Sequence, residues 1–384
     1  MGWTSGIKRN VLLLGLVSLL TDMSSEIILP ILPMFIVSLG GAGLAVGLIG
    51  GLGDSCASIV NLFSGHLSDK LGKRKPFVYL GYAISAFMKL LFTLSKTWGH
   101  LLVFRILERG GKGIRTAPRD AIIADSAQEE RGKAFGLHRA LDTSGAVFGS
   151  IIAFILFWFL GLGFRAILLI AALIAFLSIS PLFFVEETEG KPRTETLKVS
   201  LNGLPGELRF FIVVASVFAL ANFTYMFFIL KAQQSFSGKE AVGFPILLYV
   251  LFNTVYALLS VPSGILSDRI GRERVLILGY STFGVMCLGF AYLSAFSGLI
   301  ILFILMGVVF ALVDGNQRAF VSDLAEGDMK GTALGTFHAA ISLATLLASL
   351  IAGFLWEYVG AGATFIYGSG MAFLAALLFV VHRP

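Results

Sequence analysis

Gly65-His66-Leu67-Ser68-Asp69-Lys70-Leu71-Gly72-Lys73-Arg74-Lys75 returns 199 residues later as Gly264-Ile265-Leu266-Ser267-Asp268-Arg269-Ile270-Gly271-Arg272-Glu273-Arg274. Each copy closes one long apolar segment and opens the next, with a Gly, an Asp and a basic cluster packed into the turn. The same spacing pairs Asp54 with Asn253, Ser64 with Ser263, Arg119 with Arg318, Arg131-Gly132 with Lys330-Gly331, and Gly136 with Gly335. Equal spacing over this much sequence predicts two halves of one helix order, related by an axis along the membrane normal.

Composition says what surrounds the turns. Of 384 residues 57% are hydrophobic and 14% charged, and 35 are Phe, against about a quarter charged in a soluble domain. A water-soluble core could not hide this much apolar surface, so the chain is expected to be an all-α integral membrane protein. Cys56 and Cys287 sit far apart in apolar segments and read as packing residues, with no disulfide and no metal site. The net charge of +6 resides in loops, where topology explains it, so it points to no nucleic-acid partner. No catalytic nucleophile, phosphate loop or ATP motif is present, and neither an enzyme nor a cofactor is expected.

A membrane-crossing helix needs about 20 mostly apolar residues. Twelve segments qualify: about 10–38, 45–68, 76–95, 101–124, 135–160, 165–185, 209–232, 243–267, 275–294, 298–323, 333–357 and 362–382. The fourth is crowded with charge. The first, preceded by Lys8 and Arg9, lacks a small-residue cleavage site and is read as a retained span, not a signal peptide. The polar stretch 186–208 separates a six-helix bundle at 1–185 from another at 209–384. Lys70, Lys73, Arg74, Lys75, Arg131, Lys133, Arg269, Arg272, Arg274 and Lys330 all fall on one side of a twelve-helix count. Both termini are therefore expected in the cytoplasm, in a multi-pass protein of the cytoplasmic membrane.

The G-x-L-S-D-[KR]-x-G-[KR] turn between the second and third helices, echoed between the eighth and ninth, resembles that of the major facilitator superfamily. The resemblance covers the whole chain. It implies twelve helices in two pseudo-symmetric bundles around a central cavity that opens alternately to either side. It also implies a cytoplasmic gate at Gly65, Asp69, Lys70, Gly72 and Lys73, with Arg131 as the partner of Asp69 and with Asp268, Arg269, Gly271 and Lys330 as the weaker mirror. The stretch Arg105 to Asp125, followed by Arg131-Gly132-Lys133-Ala134-Phe135-Gly136, resembles bacterial and archaeal members labelled as efflux proteins. Gly145-Ala146-Val147-Phe148-Gly149 stands where antiporters of the superfamily carry G-x-x-x-G-P-x-x-G-G, but Ser150, Ile152 and Ala153 replace the Pro and the final glycines.

Charges in the hydrocarbon region cost several kcal/mol each unless paired or wetted. Asp22 and Glu26 share a face of the first helix, Asp54 lies mid-way along the second, and Asp142 shares a face with His138 on the fifth. These four acids are the candidates for proton or cation coupling; the structural alternative is locking to arginines of the fourth helix for Asp22 and Glu26, and a hydrogen bond to a neighbouring helix for Asp54. The fourth helix packs Arg105, Glu108, Arg109, Lys112, Arg115, Arg119 and Asp120 into sixteen positions, with Glu108, Lys112, Arg115 and Arg119 on one face. They read as a wall of the substrate cavity or as an internal ion-pair ladder. Gly110, Gly111 and Gly113 permit close packing, and Pro118 is expected to kink the helix. In the second half Asn222 with Tyr225, Asn253 with Tyr256, and Asp314 with Arg318 are spaced to share helix faces, and the last two to pair. The expected function is proton-coupled export of a small amphipathic compound by a monomer, its partners being substrate, protons and lipid. An anion or divalent-metal carrier of the same fold is the rival, and a non-transporting sensor is the reading from another class.

Overall fold

The computed structural model describes residues 9–127, 130–187, 203–325 and 329–381, and these are helical almost throughout. In chain order come α1 (Arg9–Ile28), α2 (Leu32–Ser38), α3 (Gly43–Leu71), α4 (Lys75–Phe92), α5 (Trp98–Ser126), α6 (Arg131–Trp158) and α7 (Phe164–Leu177), which continues into a 3-10 turn at Ser180–Phe184. Then follow α8 (Gly206–Ala221), α9 (Met226–Gln233), α10 (Glu240–Ile270), α11 (Arg272–Tyr292), α12 (Phe296–Leu324), α13 (Lys330–Tyr358) and α14 (Ala361–Val381).

Each of the twelve expected segments holds helix. Two are broken: Pro30 lies in the gap between α1 and α2 and Pro33 in the first turn of α2, and residues 222–225 separate α8 from α9. Among the described residues ten helical segments are long and apolar enough to cross a bilayer. α4 and α5 are not among them: α4 has 18 residues and carries Lys75 and Lys89, and the interior of α5 is charged. α5 runs unbroken through Pro118. The expected linker at 186–208 lies mostly outside the described residues. Large apolar side chains such as Phe63, Leu173, Leu258, Val261, Ile301 and Leu377 stand exposed along the helices. A lipid-facing surface looks like this, because the hydrocarbon solvates what water would drive inward.

The chain forms two compact units. One comprises Met1–Leu32 with Cys56–Thr196, the other Pro33–Ser55 with Leu197–Pro384, so the first half of α3 groups with the second unit. Inside the first unit α1 packs on α6 and α7, and α4 on α5 and α7. Inside the second the equivalents repeat: α8 on α13 and α14, and α11 on α12 and α14. The 199-residue repeat is thus a repeat of packing as well as of sequence.

The two cores differ in substance. The first is aliphatic, with Val11, Leu14, Val17, Val78, Ile122 and Ile123 fully buried. The second is aromatic: Phe223 stacks on Phe228 at 5.4 Å, Phe228 meets Phe290 edge-on at 4.9 Å, and Phe290 stacks on Phe365 at 5.4 Å. Within that unit the small residues of α3 set a close seam. A Cβ on Gly43 would stand 2.7 Å from the Gly353 carbonyl, and one on Gly51 would stand 2.9 Å from Ser349. Ser55 Oγ donates to the Ser342 carbonyl at 2.9 Å, and the Leu44 amide donates to Glu357 Oε2 at 2.9 Å.

Candidate functional site

The first unit gathers its buried charge around α1, α5 and α6. α1 and α6 approach closely because Gly145 and Gly149 lie against the carbonyls of Leu19 and Met23, where any side chain would collide. This contact carries Asp22 on α1 to Asp142 on α6, and the two carboxyls come within hydrogen-bonding reach of each other. Ser18, one turn before Asp22, donates to Asp142 Oδ1 at 3.0 Å and accepts from Arg119 Nη1 at 3.3 Å. Arg139 Nη1 lies 3.1 Å from Asp142 Oδ2, and Lys112 stands among Asp22, Asp142, Arg109 and Arg115. His138 is buried nearby, and its Nε2 has no hydrogen bond among the described residues.

Two carboxylates offer only acceptors. A hydrogen bond between them needs a proton on one, so the pair is a place where a proton can be held and released. Glu26, one turn further along α1, has its Cβ against Gly149, which places it on the same seam. Asp54 is half-buried on the part of α3 that groups with the second unit.

The rest of the α5 charge is turned inward. Arg105 Nη1 pairs with Glu108 Oε2 at 2.8 Å, their side chains 5% and 2% exposed. Arg115 donates to Ser85 Oγ at 2.7 Å and lays its guanidinium 4.2 Å over the Tyr82 ring. Arg119 Nε and Nη2 grip Asp120 Oδ1 at 2.9 and 2.8 Å. Gly81 and Gly111 lie against each other's carbonyls and so bring α4 this close to α5. For Arg105, Glu108 and Arg115 the geometry is that of internal pairing and not of an open wall.

The sequence pattern assigns no role to Lys89. In the structure it is 1% exposed, on α4, and its Nζ donates to Ser24 Oγ at 3.0 Å, Ser25 Oγ at 2.9 Å and the Thr21 carbonyl at 3.4 Å. Thr21, Ser24 and Ser25 flank Asp22, so Lys89 fixes the stretch of α1 that carries the acid. Its signal was available: three hydroxyls beside a membrane acid call for a donor.

In the second unit Asn253 is buried on α10, and Tyr256 Oη donates to Asp314 Oδ2 at 3.1 Å. Tyr225, Tyr249 and Phe252 form a run of rings 5.6 and 5.5 Å apart that ends on Tyr256. The expected helix face of Asn222 and Tyr225 does not exist. Asn222 caps the end of α8 at φ −87°, ψ 63°, and Tyr225 precedes α9, so both stand at a break. Arg318 Nε donates to the main-chain oxygen of Asp314 at 3.1 Å, where a bond to its carboxylate was expected.

The twin turns form ion-pair triads. Arg74 reaches Asp69 at 3.8 Å, pairs with Asp125 and donates to the Ala121 carbonyl at 3.2 Å. Arg272 reaches Asp268 at 2.7 Å and Asp323 at 3.0 Å. Asp69 therefore pairs across its own turn with Arg74, and Arg131, its expected partner, is exposed at the start of α6. Lys70, Lys73 and Arg269 are also exposed, and the side chain of Lys330 lies outside the described residues. Gly72 and Gly271 have φ of +65° and +96°, which explains the glycine in each turn. A Cβ on Gly65 would stand 3.0 Å from Ala117 Cβ. The triads escaped the repeat analysis because Arg74/Arg272 and Asp125/Asp323 are 198 residues apart, one fewer than the rest.

A duplicated helical membrane protein, with an acid pair inside one unit and twin charged turns at one end of each, has the build of a solute carrier. The chain belongs to the major facilitator superfamily, whose family model matches residues 14–236 and again 210–384. It is 49% identical to the MFS-type transporter MJ1317 of Methanocaldococcus jannaschii over 97% of this chain and 94% of that one. It is 30% identical to the multi-drug resistance efflux pump PmrA of Streptococcus pneumoniae, over 37% of this chain and 35% of that one. Among solved structures, an auto-inhibited POT family peptide transporter superposes with a TM-score of 0.82 at 14% identity, over 98% of this chain and 99% of that one. That similarity speaks for the fold alone.

Proposed function

We propose that the protein exports a small amphipathic organic compound across the cytoplasmic membrane in exchange for protons, by rocking of bundles 1–185 and 209–384. The Asp22–Asp142 pair carries this reading. Its shared proton is held between two helices whose glycines admit no side chain, within reach of Lys112 and Arg119. Loss of that proton leaves two facing carboxylates in a poorly solvated site, and their repulsion is a force on the α1–α6 seam. Glu26 and Asp54 are the further coupling candidates. In the second unit, the rings at Tyr225, Tyr249 and Tyr256 beside Asp314 suit a compound with an apolar body and a polar or cationic end. The match to part of an efflux pump favours the outward direction. The Lys/Arg bias of the turns supports a cytoplasmic location for both termini.

The test is proton movement in proteoliposomes under an imposed pH gradient, with cationic dyes, organic anions and divalent metals as trial substrates. Asp22→Asn and Asp142→Asn are expected to abolish substrate-dependent proton flux, and Glu26→Gln and Asp54→Asn to show whether either acid shares the task. Substrate flux that proceeds without proton flux and is equal in wild type and all four variants overturns the reading.

A further inference from the structure

The second unit contains a cavity of about 240 Å³ that none of the preceding functions uses. It lies at the end of the unit that carries the basic turn, where α8 and α11 begin and α12 and α14 end. It is lined by Phe210, Phe211, Phe320, Leu324 and Phe379 together with Glu207 and Glu273. The ring of Phe211 lies 4.7 Å from Phe320 and 5.8 Å from Phe379, and Phe320 and Phe379 are 6.4 Å apart. Neither glutamate forms an ion pair among the described residues. The neighbouring Arg272 is committed to Asp268 and Asp323. Acids in the first turn of a helix satisfy the helix dipole, but the dipole gives no reason for aromatic walls between two such acids.

The internal repeat shows where the two halves differ in sequence at this end. At the 199-residue spacing Glu273 corresponds to Arg74, Glu207 to Lys8, Phe320 to Ala121 and Leu324 to Asp125. In the first unit the guanidinium of Arg74 is bonded to Asp125 and to the carbonyl of Ala121, and its counterpart in the second-unit triad is Arg272. In the second unit the triad arginine is Arg272, one position earlier in the repeat, and Glu273 follows it. At this end the second unit thus carries aromatic rings and two carboxylates where the sequence repeat carries Ala121, Asp125, Lys8 and Arg74 in the first.

We infer that the cavity bounded by Phe211, Phe320, Phe379, Glu207 and Glu273 is a binding site for a small organic ammonium ion. Aromatic faces attract such ions through their quadrupole, most strongly for alkylated ammonium groups. The two carboxylates of the lining supply negative charge. The volume suits a group the size of an ammonium head and lies below the range of a whole drug-sized molecule. The ammonium can come from a soluble amine or from the headgroup of an amino-phospholipid. The site does not involve Asp22 or Asp142 and stands apart from the export reading.

Choline and its uncharged isostere 3,3-dimethyl-1-butanol separate charge from shape. Binding to the full chain in phosphatidylglycerol nanodiscs, followed by saturation-transfer NMR, is expected for choline and not for the alcohol. The Glu207→Gln/Glu273→Gln protein, which keeps both side-chain volumes, is expected to bind choline about tenfold more weakly. Phe320→Leu, apolar but without a ring, is expected to weaken it in the same direction. Adding phosphatidylethanolamine to the nanodiscs distinguishes the sources. If the lipid competes with choline in wild type but not in the double variant, the ligand is a headgroup; if it does not compete in wild type, the ligand is a soluble amine. Equal binding of choline and the alcohol, or equal choline binding by wild type and the double variant, overturns the inference.

Discussion

Glu108 is one acid among several bases. Besides its pairing with Arg105, it lies in the field of Lys89, Arg109 and Arg115. Removing Arg105 leaves a buried carboxylate that still has three cations near it. Removing Glu108 leaves four cations, three of them buried, that repel one another. Breaking a buried pair by deleting one partner costs about 3–5 kcal/mol when the survivor is left uncompensated, and Glu108→Gln is expected in that range. Arg105→Met is expected to cost about 1–3 kcal/mol, the price of unsatisfied hydrogen-bonding groups. Thermal unfolding midpoints of the purified proteins decide the order, and a larger drop for Arg105→Met would show that the cluster is not balanced on Glu108. The same arithmetic explains what was legible at this scale. Near-equality of interior acids and bases can be counted in the sequence and implies pairing. Which acid meets which base cannot be counted, because the partners of Arg115 and Lys89 are hydroxyls and a ring contributed by other helices.

At the scale of elements, the α1–α6 seam depends on two glycines four residues apart, Gly145 and Gly149, each facing a main-chain carbonyl of α1. Their spacing reads from the sequence as close helix packing, and the structure shows that packing. Carbonyl oxygens belong to a rigid helix and cannot step aside as a side-chain tip can. Gly145→Val and Gly149→Val are therefore each expected to destabilise the protein by about 1–3 kcal/mol and to separate Asp22 from Asp142. Gly132→Ala and Gly136→Ala, on the same helix with nothing within 4 Å of the added carbon, are the controls and are expected to leave the unfolding midpoint unchanged or higher. Equal midpoints for the valine variants and the controls would remove the seam from the argument. The helix breaks were harder to read than the helices. Pro30 and Pro33 announce the first, but nothing in Asn222-Phe223-Thr224-Tyr225 forbids helix. The break there is held by tertiary contacts, such as the Thr224 amide bond to Ser349 Oγ at 3.1 Å.

Across the whole molecule, duplication was the most legible feature, since a fixed spacing between two copies of a turn survives any error about single residues. What it concealed is asymmetry. Both turns place an arginine between two aspartates, but the Arg74 side chain is 12% exposed against partners at 43% and 33%, whereas Arg272 is 23% exposed against 63% and 55%. Exposed ion pairs are worth about 0–1 kcal/mol, and the value rises as water is excluded. Arg74 also holds the Ala121 carbonyl, and its own amide and that of Lys75 donate to Glu187 Oε1 at 3.0 and 3.1 Å, so its turn is tied from both sides. Hydrogen–deuterium exchange measures this directly. Arg74→Ala is expected to speed exchange of the amides at 70–78 by about tenfold or more, the equivalent of about 1.4 kcal/mol. Arg272→Ala is expected to change those at 269–277 by less than about fivefold, because its partners are already wet. If the two turns respond alike, then exposure does not set the strength of the triads and the halves are energetic as well as structural copies. If they differ as expected, the first-half turn is the firmer of the two, and the transport rate should fall more for Arg74→Ala than for Arg272→Ala.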